Sequence, residues 1–283
     1  MQLPTQLSRN NPHVHKNSFG HVLILAGSKR MLGAAALTSL AALRSGAGLI
    51  TVGVPESLNT TLQKKINHSV MTFPLKETKE GTISDKAFLQ LSKELTKYSV
   101  IALGPGLSIN LSTQKFIFTL IQKATQPLVI DADALNAISK NPSILIKTST
   151  PKILTPHSGE MARLTDLSKD QVEKDRRKIA LIFAKKFHCA LLLKGHHTVV
   201  ASSNGKTYIN KTGNAGMAKA GSGDVLTGII AAFVAQGLSA FDAAKFGSYI
   251  HGKAGDLAAK KRGKISLIPT DILDLIPEAL KSC

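Results

Sequence analysis

The sequence predicts an α/β fold: a mostly parallel central sheet flanked by helices on both faces, with an antiparallel hairpin near the end of the sheet. Three observations predict it. Short apolar runs alternate with Ala- and Leu-rich stretches of helical length along all 283 residues. Most of these runs are bounded by Gly, Pro or Asp, as expected for strands buried on both faces. Asn204-Gly205 separates Val199–Ser202 from Thr207–Asn210, a strong hairpin signal.

Taken in order, strands are expected at His21–Ala26, Leu49–Val54, Val100–Leu103, Leu128–Ile130, Lys152–Leu154, Ala190–Leu193 and Thr198–Ala201. Helices between them include Gly33–Ser45, Ser112–Lys123, Lys169–Lys186, Asp224–Gln236 and Ala240–Ala259. No linker, low-complexity stretch or internal repeat interrupts the pattern. A single domain over residues 1–283 is expected.

Composition removes several function classes. Hydrophobic residues at 43% supply a core, and 19% charged residues argue against wholesale disorder. No apolar run reaches the ~18 residues of a membrane span. The longest, Val225–Val234, is interrupted by Thr227 and Gly228. Met1–Ser18 is polar and lacks the apolar centre of a signal peptide. The cysteines are Cys189, in an apolar run, and the terminal Cys283; both read as free thiols in a reducing cytoplasm. The net charge of +18 raises nucleic acid as a partner. Against it, basic residues such as Lys64, Lys65, Lys174, Arg176, Arg177, Lys185, Lys186, Lys260, Lys261 and Arg262 are scattered over polar helix faces. Aromatics are only 5% and tryptophan is absent, so stacking platforms are scarce. No nucleic-acid partner is expected; a basic surface that attracts small anions is.

Glycines gather at strand ends: Gly27, Gly104, Gly106 and Gly195. In open parallel sheets the ligand lies beyond the carboxyl ends of the strands, so these glycines point to one shared cleft. The most informative stretch is Gly213–Asp224, which runs straight into the apolar helix Val225–Gln236. Gly221 and Gly223 leave backbone N–H groups free at the helix start, an anion-binding arrangement. A plain first-turn acid would account for Asp224 alone. It does not account for two glycines and a serine packed ahead of it. The chemistry this pattern suits is phosphoryl transfer, with N–H groups on phosphate oxygens and a carboxylate accepting the proton of an attacking hydroxyl.

Ala220-Gly221-Ser222-Gly223-Asp224-Val225-Leu226-Thr227-Gly228 resembles the Gly-Thr-Gly-Asp anion-hole motif of ribokinase-like kinases. Further segments appear in matching order: Leu25-Ala26-Gly27-Ser28 with Met31-Leu32-Gly33-Ala34-Ala35, then Gly104-Pro105-Gly106-Leu107 and Asp131-Ala132-Asp133-Ala134-Leu135-Asn136. Leu154-Thr155-Pro156-His157-Ser158-Gly159-Glu160 and Leu193-Lys194-Gly195-His196-His197-Thr198 complete the set. From about His15 to Ala258, the chain resembles the ADP/ATP-dependent (S)-NAD(P)H-hydrate dehydratase family.

The resemblance implies a ribokinase-like fold and a repair activity: dehydration of (6S)-hydrated NADH or NADPH, driven by a nucleotide that phosphorylates the C6 hydroxyl. ADP, giving AMP and phosphate, is the expected co-substrate, with ATP the alternative; Mg²⁺ is the expected cofactor. It implies Asp224 as the catalytic base and Gly221, Ser222 and Gly223 as the anion hole. Lys194, Gly195, His196, His197, Thr198 and Gly223 would bind nucleotide. Ala34, Gly106, His157 and Asp224 would contact the hydrated dinucleotide, and Asp131, Asp133 and Asn136 would line the same cleft. A cytoplasmic homotetramer is implied, served by a separate epimerase, because no segment before His15 is long enough for an epimerase domain. The rival reading is a small-molecule kinase of the same superfamily, acting on a sugar, hydroxymethylpyrimidine or hydroxyethylthiazole.

Glu160 is expected to organise water around Mg²⁺, since ribokinase-like kinases carry Asn-x-x-Glu near this position and His157 here replaces the Asn. An ordinary helix-start acid is the simpler reading of the same residue. His196-His197 is expected not to be a metal pair, because neighbours on a strand point to opposite faces. The chain departs from the family pattern at Asn17, Ser158, Ala220 and Ser222, where Gly, Pro, Gly and Thr are common.

Overall fold

Alternate side chains of the central strands enter two separate cores, so both faces of the sheet are buried. Val22 and Ile24 pack on one side, Leu23 and Leu25 on the other; Val100 and Ala102 are divided in the same way from Ile101 and Leu103. The computed structural model describes residues 1–9 and 11–283. Its strands are β1 (His21–Leu25), β2 (Leu49–Pro55), β3 (Met71–Leu75), β4 (Val100–Leu103), β5 (Leu128–Ile130), β6 (Lys152–Leu154), β7 (Ala190–Leu193), β8 (Val199–Ala201) and β9 (Thr207–Ile209). They form one nine-stranded sheet in the order β3-β2-β1-β4-β5-β6-β7-β8-β9. Strands β1 to β7 pair in parallel, while β7-β8 and β8-β9 are antiparallel, which is the expected hairpin.

The helices are α1 (Leu32–Arg44), α2 (Asn59–Gln63), α3 (Ala87–Leu91), α4 (Leu111–Lys123), α5 (Ala132–Ile138), α6 (Ser158–Thr165), α7 (Lys169–Lys174), α8 (Arg176–Lys186), α9 (Ser222–Ala235), α10 (Ala240–Arg262), α11 (Pro269–Asp274) and α12 (Ile276–Lys281). Residues of α1, α2 and α9–α12 line one core, and residues of α3–α8 line the other. Right-handed crossovers explain this partition, since the chain steps outward from β1 to β3 and then reverses direction from β4 onward. The reversal leaves a crevice between the carboxyl ends of β1 and β4, the natural ligand position in such a sheet. There Gly104 N donates to Leu25 O (3.1 Å) and Gly27 N to Pro105 O (2.8 Å).

Helix α9 reaches the middle of the sheet because Gly228 lets it press onto α1. A Cβ at Gly228 would lie 2.2 Å from Thr38 O and 2.8 Å from Ala41 Cβ. Large residues such as Phe233 and Phe116 fill the two cores from opposite sides. Each such burial contributes about 2 kcal/mol.

Two expectations are corrected. Strand β3 was not anticipated, because Met71-Thr72-Phe73-Pro74-Leu75 carries a proline; at the sheet edge that missing N–H is harmless. The single helix expected over 169–186 is two, broken at Asp175, whose side chain accepts from Lys178 N and caps α8. Both cysteines are unpaired thiols, and burial pushes Cys189 up to about 12. No helix of the described residues is long and apolar enough to cross a membrane.

Candidate active site

The Gly213–Asp224 stretch turns into α9 through Gly221, which caps the helix in the left-handed region (φ +93°). A side chain there would also meet Leu37 Cδ1 at 2.7 Å. The helical ladder opens with Val225 N donating to Gly221 O (3.2 Å), and Ser222 N reaches back to Lys219 O (3.2 Å). The Gly223 and Asp224 amides, one turn earlier than any helical acceptor, have no partner among the described residues. Two free N–H groups at the positive end of a fourteen-residue helix form an arrangement suited to an anion.

Asp224 sits at this turn among charged groups from the start of α5 and the end of β7. Burial, then the Asp131 charge, push its carboxyl up to about 6; Lys194 opposes the rise and Asp133 adds to it. Asp131, buried at the start of α5, accepts from Lys194 Nζ (2.6 Å) on one oxygen and from Thr227 Oγ1 (2.8 Å) on the other. Lys194 follows β7, and its backbone N–H is held by Pro156 O (2.8 Å). Burial by itself would depress the Lys194 ammonium, but Asp131 and Glu160 outweigh it and its pKa is raised. Lys194 thus remains a cation, with Nζ close to the Cα of Gly223: a Cβ at Gly223 would be 3.4 Å from it.

Glu160 and His157 form a reciprocal cap on α6. His157 N donates to Glu160 Oε2 (2.8 Å), while His157 Nδ1 accepts from Gly159 N (3.0 Å) and Glu160 N (3.3 Å). Burial lowers the His157 pKa, which keeps that acceptor nitrogen unprotonated. Glu160 Oε2 also lies 3.8 Å from Lys194 Nζ, and Oε1 lies 3.6 Å from His157 Nε2. Among the described residues no group of three His, Cys, Asp or Glu side chains could hold a metal. The Lys194 ammonium takes the place between Asp131 and Glu160 that a directly bound cation would need. This donor set offers no direct cage for a cation, and Glu160 is the carboxylate that could reach a hydrated Mg²⁺ through water.

A cavity of about 790 Å³ opens beside the anion turn. Lys194, Gly195, His196, His197, Thr198, Gly221, Ser222, Gly223 and His157 all line it, together with residues of the Asn210–Met217 segment. His196 and His197 stand in a turn, with His197 at φ +55°, and their rings are 3.9 Å apart. The strand geometry expected to separate them is absent, although among the described residues no third ligand joins them. Ala34 and Gly106 lie elsewhere, at the β1/β4 crevice. A Cβ at Gly106 (φ +65°) would be 3.0 Å from Ala34 Cβ. Asp133 accepts from Ser108 N (2.8 Å) and Asn136 from Arg163 Nη2 (2.8 Å), so both shape the loops around that crevice. Asp131, whose N–H donates to Leu103 O at the end of β4 (3.0 Å), accepts from the cavity-lining Lys194 and so links crevice to cavity.

Two residues near the turn were missed or set aside by sequence reasoning. His251, on α10, lines the cavity with Nε2 3.2 Å from Ser222 Oγ. Burial pushes its pKa down to about 4, so it is neutral. Thr227 holds Asp131 from 96 residues away. A histidine or threonine on an apolar helix gives no sequence signal of such a contact.

The family model described as NAD(P)H-hydrate dehydratase matches residues 22–278. The "Bifunctional NAD(P)H-hydrate repair enzyme Nnr" of Moorella thermoacetica is 44% identical over 98% of this chain and 52% of its own length. The chain thus spans about half the length of the first curated relatives it matches. The "ADP-dependent (S)-NAD(P)H-hydrate dehydratase" of Xanthomonas campestris is 33% identical over 95% of this chain and 91% of its own. Among solved structures, the ADP/ATP-dependent NAD(P)H-hydrate dehydratase of Bacillus subtilis, co-crystallized with ATP/Mg²⁺, superposes with a TM-score of 0.81 at 29% identity, covering 96% of this chain and 92% of that one. The architecture is ribokinase-like, and the chain belongs to the NAD(P)H-hydrate dehydratase family.

Proposed function

We propose that the chain dehydrates (6S)-hydrated NADH and NADPH, with ADP as the preferred nucleotide. The carrying observation is a half-buried carboxylate, Asp224, directly after the cavity-lining turn Gly221–Gly223, with the Gly223 and Asp224 amides unpartnered. In the first step Asp224 accepts the proton of the C6 hydroxyl. The hydroxyl oxygen bonds to the terminal phosphorus as the bridging P–O bond breaks, and AMP leaves. In the second step C5 loses a proton, the C6–O bond breaks, and phosphate departs as the C5=C6 double bond re-forms. Hydroxide is a poor leaving group and phosphate a good one, so kinase machinery serves an elimination.

The Ser222 amide is already bonded to Lys219 O, so the free Gly223 and Asp224 amides of the anion turn, with Lys194, hold the transferred phosphoryl group, and Lys194–Thr198 with Gly223 hold the nucleotide. Ala34 and Gly106 receive the hydrated dinucleotide at the crevice, and His157 contacts it from the cavity side. Glu160 would reach a hydrated Mg²⁺ through water, and that ion, when bound with the nucleotide, would neutralise charge on the phosphates. The Xanthomonas relative's name favours ADP, while the Bacillus structure was obtained with ATP. The proposal is completed by a chain acting as one domain, a cytoplasmic homotetramer, and an epimerase activity that supplies the S form. Analysis of spent nucleotide tests it. AMP and free phosphate should appear in equal amounts with recovered NADH. A stable phosphorylated product without free phosphate would instead support the small-molecule kinase.

A further inference from the structure

The nucleotide loop and the start of α6 are joined by a chain of side chains that the proposed reaction does not use. Arg176, the first residue of α8, has a side chain only 13% exposed. Its Nη2 donates to Leu193 O (2.8 Å), the carbonyl just before Lys194. Its Nη1 donates to Glu173 (3.1 Å). The guanidinium packs closely on Gly195: a Cβ there would be 2.3 Å from Nη1 and 2.9 Å from Cζ, at φ +148°. The other Glu173 oxygen accepts from the Ser158 hydroxyl, one residue after His157. The Ser158 bond, and to a smaller extent Arg176, hold the Glu173 carboxyl below its usual range.

We propose that Ser158, Glu173 and Arg176 form a tie that positions the Lys194–Thr198 loop for nucleotide and couples it to the His157 loop. Arg176 is the positioning residue, and Ser158 anchors it through Glu173. A guanidinium reaches a carbonyl and a carboxylate at once in a fixed plane, which an ammonium cannot reproduce. The inference rests on Lys194–Thr198 being the nucleotide loop.

Calorimetric titration of ADP into the full chain tests it, with melting temperature and amide hydrogen exchange measured on the same samples. Arg176→Lys should weaken ADP about tenfold, the scale of one charge-assisted hydrogen bond. Ser158→Ala should weaken it several-fold and speed exchange in residues 194–198 without nucleotide, and Ser158→Thr should restore both. ADP affinity and exchange matching wild type in Ser158→Ala and Arg176→Lys would overturn the tie. A wild-type chain that binds no ADP would overturn the nucleotide loop itself, and the tie with it.

Discussion

Replacing Asp224 by Asn separates a catalytic base from a helix-start acid, and the structure gives the sign of both effects. The carboxyl titrates at about 6 in the folded chain against an ordinary 3.8. A rise of roughly two units corresponds to about 3 kcal/mol spent in keeping the group ionised at pH 8. The folded state holds this proton more tightly than the unfolded chain does. Stability from this group is therefore greatest below about pH 4 and falls as pH climbs toward 6. Asn carries no charge to bury, so the variant should melt higher than wild type at pH 8, by several degrees, and the gap should close by pH 4. Turnover should fall ~10²–10⁴-fold because Asn cannot accept the hydroxyl proton. In the wild type, kcat/KM should rise with pH through about 6 as the base ionises. Melting curves at both pH values and turnover of hydrated NADH read all three. Near-normal turnover, or a variant that melts several degrees lower at pH 8, would refute the reasoning.

Three further outcomes are expected. Gly195→Leu should weaken ADP binding in a folded protein, since its Cβ would displace Arg176 from Leu193 O; unchanged affinity by titration contradicts this. Glu160→Gln should raise the Mg²⁺ concentration for half-maximal activity, whereas superimposed titrations would leave Glu160 only its role in capping α6. Gly228→Ala should cost about 1–3 kcal/mol by denaturant melts, because its methyl overlaps Thr38 O where α9 crosses α1; a cost near zero would contradict that close approach.

Most of the sheet was legible because its strands are short apolar runs with hard stops, as at Val100–Leu103 before Gly104. Strand β3 escaped notice since an edge strand tolerates Pro74, and the break at Asp175 was hidden inside a continuous polar-apolar pattern. Within the site, Gly221–Asp224 carries its chemistry in consecutive residues and could be read directly. The Lys194–Asp131–Thr227 contacts could not, being formed across 63 and 96 residues by the order of strands. His196 and His197 were misplaced on a strand because the turn begins at Gly195 and β8 only at Val199. Glu160 shows a further limit: sequence alone offered both a cap and a magnesium role, and the structure supplies the cap in full.

The central claim is that a nucleotide drives dehydration at Asp224. Its most direct measurement is absorbance at the reduced-nicotinamide band, with the chain, (6S)-hydrated NADH and Mg²⁺, adding ADP or ATP in turn. The band should stay flat without nucleotide and rise on adding ADP, more slowly with ATP. A band that stays flat with either nucleotide, or rises equally without one, would contradict the account.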